Sequence, residues 1–167
     1  MSYKILDCTL RDGGYYTDWK FDTKLVRQLV KSLDSNNVDI IELGYKSPVI
    51  GGPYRKCNDG FINSIINFKV EADLAFMIDV KDYVINNKIN KSLIKDIIKP
   101  SSVFKVCRVA AKYNEIHYIP EIVKILQNLG YDVICNLMAI SKTLKEEVEA
   151  YTNITQNLNL KAIYIAD

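Results

Sequence analysis

Histidine is almost missing from this 167-residue sequence: His117 is its only one. A metal site that needs two imidazoles therefore cannot be completed by these residues alone. The four cysteines, Cys8, Cys57, Cys107 and Cys135, stand far apart with no Cys-x-x-Cys pair, so neither a zinc knuckle nor a disulfide framework is indicated. No apolar run approaches the ~20 residues that cross a bilayer. The opening Met-Ser-Tyr-Lys leads straight into a strand pattern rather than a secretion signal. Net charge is only +2 and the lysines are scattered, which argues against a basic, aromatic-interleaved nucleic-acid face. Pro/Ser/Gly-rich linkers and low-complexity tracts are absent too. These absences point to a reducing, cytoplasmic setting, with no nucleic acid and no membrane as partner.

What is present is ordinary globular material, 49% hydrophobic and 25% charged. Six apolar, β-branched runs stand out at 4–9, 38–44, 73–80, 103–110, 131–137 and 162–167. They are nearly continuous rather than alternating, the pattern of strands covered on both faces. Between them, 22–36, 59–68, 91–98, 119–129 and 143–157 carry helical spacing; in the first, Leu25, Val26, Leu29, Val30 and Leu33 share one stripe. Asp22 and Ser141 are placed to cap helix starts, and Gly130 stands where a helix C-terminus favours glycine.

Strand and helix alternate at intervals of roughly 30 residues, which argues for right-handed βαβ units and a parallel sheet. The turn after the first strand, Arg11-Asp12-Gly13-Gly14-Tyr15, is not the Gly-x-Gly-x-x-Gly of a dinucleotide fold. An α/β fold of about six parallel strands and five helices has the pace of a (β/α)₈ barrel but too few units to close one. The expected architecture is thus an incomplete TIM barrel, the N-terminal portion of a longer one.

In parallel βα folds the carboxyl ends of the strands line the active site. Residues expected there are Asp7, Arg11, Asp12, Glu42, Tyr45, Asp79, Asp82, Arg108, Asn136, Ser141 and Asp167. Acidic and basic groups converging on one rim suit a hard divalent cation and an anionic substrate. Arg108 follows a buried run and fits either a structural ion pair or substrate binding. Tyr15 and Tyr16 fit either loop packing or catalysis. His117 reads as a surface residue, and Cys8, Cys107 and Cys135 as core, because no histidine adjoins them to activate a thiolate.

The segment Leu6-Asp7-Cys8-Thr9-Leu10-Arg11-Asp12-Gly13-Gly14 resembles the opening motif of the DRE-TIM metallolyases, a superfamily that includes HMG-CoA lyase, isopropylmalate synthase and 4-hydroxy-2-oxovalerate aldolase. The likeness continues in order through Asp39-Ile40-Ile41-Glu42-Leu43-Gly44, Phe104–Ala110, Asn136-Leu137-Met138 and Ile163–Asp167. It implies that Asp12 is a ligand of a divalent metal, Mn²⁺ or Mg²⁺. Arg11 would stabilise an enolate formed as a C–C bond breaks or forms beside a carbonyl, and Glu42 would hold Arg11 in place. Gly13 and Gly14 would let the chain turn tightly beneath the substrate.

Two features depart from the pattern. Tyr15 stands where the hydroxy-oxovalerate aldolases carry an acid/base histidine, and the His-x-His ligand pair belongs to a later strand than any here. The resemblance therefore implies that residues 1–167 form the N-terminal part of one HMGL-like, pyruvate carboxyltransferase-type catalytic domain. Its parent would be a homo-oligomeric, metal-dependent aldolase or lyase acting through a metal-bound enolate of a 2-oxo acid or acyl thioester. The 167 residues alone would be catalytically silent. An acyl-CoA-dependent condensing synthase of the same superfamily and a non-catalytic barrel module are the alternatives.

Overall fold

The computed structural model describes residues 4–49, 51–101 and 103–167. It divides into two compact units. The first runs to Met77 and includes Ser101–Lys105; the second comprises Ile78–Pro100 and Val106–Asp167.

In the first unit a two-residue strand β1 (Leu6–Asp7) leads into helix α1 (Thr9–Thr17), followed by α2 (Thr23–Ser35), β2 (Ile40–Tyr45), a single-turn α3 (Pro53–Lys56), α4 (Asp59–Ile65) and β3 (Asp73–Asp79), which crosses the boundary. The strands pair in parallel in the order β1-β2-β3, with Leu6 opposite Ile40 and Glu42 opposite Ala75. Every residue of β2 is buried, as the continuous apolar run requires of a strand covered on both sides. The stripe expected on α2 is realised in part: Val26 and Val30 are wholly buried and Leu29 and Leu33 half-buried, but Leu25, expected among them, faces solvent at the first turn. Asp22 caps that helix as expected, its Oδ1 accepting the N–H groups of Lys24 at 2.8 Å and Leu25 at 3.0 Å.

The second unit adds a small antiparallel hairpin, β4 (Val84–Ile85) with β5 (Lys88–Ile89), then α5 (Lys91–Ile97), β6 (Val106–Ala111), α6 (Ile119–Asn128), β7 (Asp132–Leu137), α7 (Lys145–Thr155) and β8 (Ala162–Ile165). Here too the pairing is parallel and in chain order, β6-β7-β8. Gly130 ends α6 at φ +90°, a conformation open to glycine without strain. All four residues of β8 are exposed, unlike those of β6, which are buried throughout.

Six parallel strands with helices between them make an α/β fold, an incomplete TIM barrel, as the periodicity implies. The helix count differs: the described residues hold seven α-helices, not five, plus three 3₁₀ turns. One extra is the single turn α3, and the other is α1, which replaces the expected loop after strand one. Ser141 is also not a cap of α7. It lies in a 3₁₀ turn, and α7 begins later, where Glu147 Oε2 accepts the Leu144 N–H at 2.8 Å. No helix among the described residues is long and apolar enough to cross a membrane.

Candidate active site

The site grows from the junction of β1 and α1. Asp7, the last residue of β1, accepts from both the N–H (3.1 Å) and the hydroxyl (2.9 Å) of Thr9, the first residue of α1. Helical geometry then places Arg11 and Tyr15 four residues apart, with Asp12 beside them, on one face. Arg11 Nε donates to Glu42 Oε1 at 2.9 Å, and Arg11 Nη1 contacts Asp12 Oδ1 at 2.5 Å. The Glu42 side chain is fully buried, that of Arg11 is 14% exposed and that of Asp12 is 56% exposed. A carboxylate buried this deeply is costly unless paired, so Glu42 fixes the guanidinium from beneath while Asp12 opens to solvent. Burial alone would lower the Arg11 pKa. The charge and hydrogen bond of Glu42, with Tyr45 and Asp12, outweigh it and hold the pKa above the ordinary arginine value. Arg11 is a permanent cation.

Asp12 is held from two sides. Beyond Arg11, the Cys8 thiol donates to Asp12 Oδ2 at 3.2 Å. The expectation that Cys8 is a core residue is thus corrected: it is half-buried and bonded to the candidate metal ligand, whereas Cys57, Cys107 and Cys135 are buried. Cys8 and Asp12 are four residues apart, so predicting α1 would have revealed the contact. Gly13 and Gly14 do not form a tight turn either, since both lie inside α1. Gly14 instead makes room for Trp19: a Cβ there would lie 2.1 Å from Trp19 Nε1.

Tyr15 is 58% exposed, but its hydroxyl lies 2.7 Å from that of Tyr45, the buried last residue of β2. Trp19 stands edge-on to both rings, at 4.8 Å from Tyr15 and 5.8 Å from Tyr45. The Arg55 guanidinium covers Trp19 at 4.4 Å and Tyr45 at 4.7 Å. Neither Trp19 nor Arg55 carries any sequence signal of a site.

The other residues expected at strand ends belong to the second unit. Arg108 on β6 is buried and lies over the Tyr164 ring at 5.6 Å. Asn136 on β7 is buried, and its Oδ1 has no hydrogen-bond partner among the described residues. Asp79 pairs with Lys81, and Asp167 accepts from the Ser141 N–H; hydrogen bonds from the Ser141 hydroxyl and then its N–H lower the Asp167 pKa. His117 is exposed against Tyr118, as expected of a surface residue.

The strand-one motif, the arginine fixed by a buried glutamate and the parallel βα order agree with the match of an HMGL-like family profile to residues 2–167. The chain belongs to the HMGL-like family. It is 24% identical over 98% of its length to the 4-hydroxy-2-oxovalerate aldolase of Carboxydothermus hydrogenoformans, covering 48% of that protein. It is likewise 24% identical over 98% of its length to 4-hydroxy-2-oxovalerate aldolase 6 of Rhodococcus jostii, covering 46%. The chain thus spans about half the length of the curated relatives it matches. The crystallised N-terminal domain of a Bacteroides vulgatus protein described as a candidate aldolase shares the fold, with a TM-score of 0.69, 22% identity, and coverage of 98% of this chain and 62% of that one.

Among the described residues no three His, Cys, Asp or Glu side chains cluster as a metal site. The donor set fits one contribution to a hard divalent cation: the Asp12 carboxylate, half-open to solvent and already oriented by Arg11 and Cys8. Further ligands would have to come from outside that set.

Proposed function

We propose that the full-length protein is a metal-dependent aldolase that cleaves a C–C bond of a small 2-oxo acid, with these residues as the N-terminal part of its catalytic domain. The observation that carries this reading is Arg11, a permanently charged guanidinium seated on the buried Glu42 and presented beside the open Asp12. Retro-aldol cleavage leaves negative charge on the oxygen of the departing enolate. A preorganised cation that need not reorganise as the charge develops lowers that barrier. Glu42 orients Arg11 and keeps it from swinging to solvent. Asp12 would hold a Mn²⁺ or Mg²⁺ ion, which when bound supplies Lewis-acid polarisation of the substrate carbonyl. Tyr15, on the same helical face, would move the proton of the substrate hydroxyl.

The test is cleavage of 4-hydroxy-2-oxovalerate by the full-length protein, followed as pyruvate release. Arg11→Ala and Asp12→Ala should each cut turnover by ~10²–10³-fold or more, the usual cost of losing a preorganised electrostatic group. Activity within a few-fold of wild type in either variant would remove that residue from the mechanism. Condensation that consumes acyl-CoA and releases free thiol would favour the synthase alternative. Absence of both activities in the wild type would favour a non-catalytic barrel.

A further inference from the structure

The Tyr15 hydroxyl has a partner that the family motif does not supply. An exposed tyrosine on a helix surface ordinarily leaves its phenol free to sweep through several rotamers, and fixing such a side chain costs entropy. Here the phenol oxygen is fixed at 2.7 Å from the Tyr45 hydroxyl, the modal distance for an O–H···O bond. Tyr45 is itself immobile: it is 3% exposed, its backbone belongs to β2, and its ring is wedged between Trp19 edge-on at 5.8 Å and the Arg55 guanidinium at 4.7 Å. The Trp19 edge also touches Tyr15, at 4.8 Å. The sheet thus locates the Tyr45 oxygen, and the Tyr45 oxygen locates that of Tyr15, on the helix that also carries Arg11 and Asp12.

We infer that Tyr45 is a positioning residue for Tyr15. By hydrogen bonding to the Tyr15 oxygen it holds that oxygen in the orientation from which it exchanges a proton with substrate, and it donates to that oxygen whenever the Tyr15 proton is directed outward. The inference rests on the proton-moving role proposed for Tyr15. It is distinct from ring packing, because packing needs only the aromatic faces and the inference needs only the two oxygens. Substituting phenylalanine for either tyrosine removes an oxygen and leaves the rings in place.

The experiment is a double-mutant cycle of Tyr15→Phe and Tyr45→Phe in the full-length enzyme, reading kcat and KM separately. Emission of Trp19, the sole tryptophan, reports that the ring cluster is intact. One hydrogen bond of this kind is worth ~0.5–1.5 kcal/mol, so Tyr45→Phe should lower kcat about 3–10-fold with KM nearly unchanged. In a Tyr15→Phe background the second substitution should cost nothing further. If Tyr45→Phe matches wild type while Tyr15→Phe is impaired, the inference fails and the Tyr15 role stands. If Tyr45→Phe costs as much in the Tyr15→Phe background as alone, Tyr45 acts independently and the inference is again overturned. If Tyr15→Phe is itself fully active, the Tyr15 role fails and takes the positioning role with it.

Discussion

Two ion pairs are built on β2 and the residue after it, and they differ in what they leave open. Glu42 meets Arg11 at 2.9 Å, and Lys46 meets Asp59 at 2.8 Å. Glu42 is registered against Ala75 of β3, whereas the Lys46 amino group lies over Phe76 at 5.0 Å and Phe104 at 5.1 Å. Ala75 and Phe76 are consecutive in a strand and point to opposite faces, so the two pairs occupy opposite sides of the sheet. On the Lys46 side the anion is more enclosed: Asp59 is 32% exposed, also accepts the Ser101 hydroxyl and stands in the first turn of α4, where the helix dipole favours it. On the Arg11 side a second carboxylate, Asp12, remains 56% exposed beside the cation. Burial of a charge pair therefore does not mark function. The proposed site rests on a different feature, an oriented cation with an accessible anion beside it.

The sharpest way to break this comparison is to remove each cation from the full-length protein. Arg11→Ala should abolish nearly all turnover, while Lys46→Met should leave kcat within a few-fold of wild type. Lys46→Met should instead lower stability by ~1–3 kcal/mol in urea unfolding, because a partly buried carboxylate loses its partner while keeping the Ser101 hydroxyl. Equal losses of turnover would show that both pairs serve the site.

A smaller effect is expected from Glu42→Gln, which preserves shape and removes the charge beneath Arg11. Loss of an orienting partner behind a catalytic group typically costs ~10–100-fold in activity, and the Arg11 cation itself remains. Turnover unchanged by Glu42→Gln would mean that Asp12 alone orients the guanidinium.

The parts of this picture that the sequence made legible are those with periodicity behind them. Continuous apolar runs located all six strands, and the α2 stripe with its Asp22 cap located the first long amphipathic helix. The Arg11–Glu42 pair was expected from the resemblance to the DRE-TIM opening motif, and Arg11 reaches Glu42 from α1. Missed were features that depend on α1, which is short, holds two glycines and has no strong apolar stripe. Without that helix Cys8 cannot be placed on Asp12, nor Gly14 against Trp19. The Tyr15–Tyr45 bond joins two elements 30 residues apart, and nothing in local pattern encodes such a contact.

The smallest effect concerns alkaline pH and the buried groups near the Lys46 pair. Burial pushes the Cys57 thiol well above its ordinary value even though the Lys46 charge works the other way, and burial pushes Tyr54 up to about 12. In the second unit burial pushes Cys135 up to about 12. A thiol or phenol whose folded pKa exceeds its unfolded one binds its proton more tightly in the folded state. Its contribution to stability is complete below the unfolded pKa, 9.0 for cysteine and 10.0 for tyrosine, and is lost as pH rises from there toward the folded value. Urea midpoints should therefore be flat from about pH 7 to 8.5 and fall above pH 9, each such group contributing at most ~1.4 kcal/mol per pH unit within its window. Arg11 adds nothing to this slope, because its raised pKa keeps it charged throughout. Cys57→Val should flatten the decline measurably. An alkaline decline of the same slope in Cys57→Val and wild type would show that the buried Cys57 thiol takes no part in it.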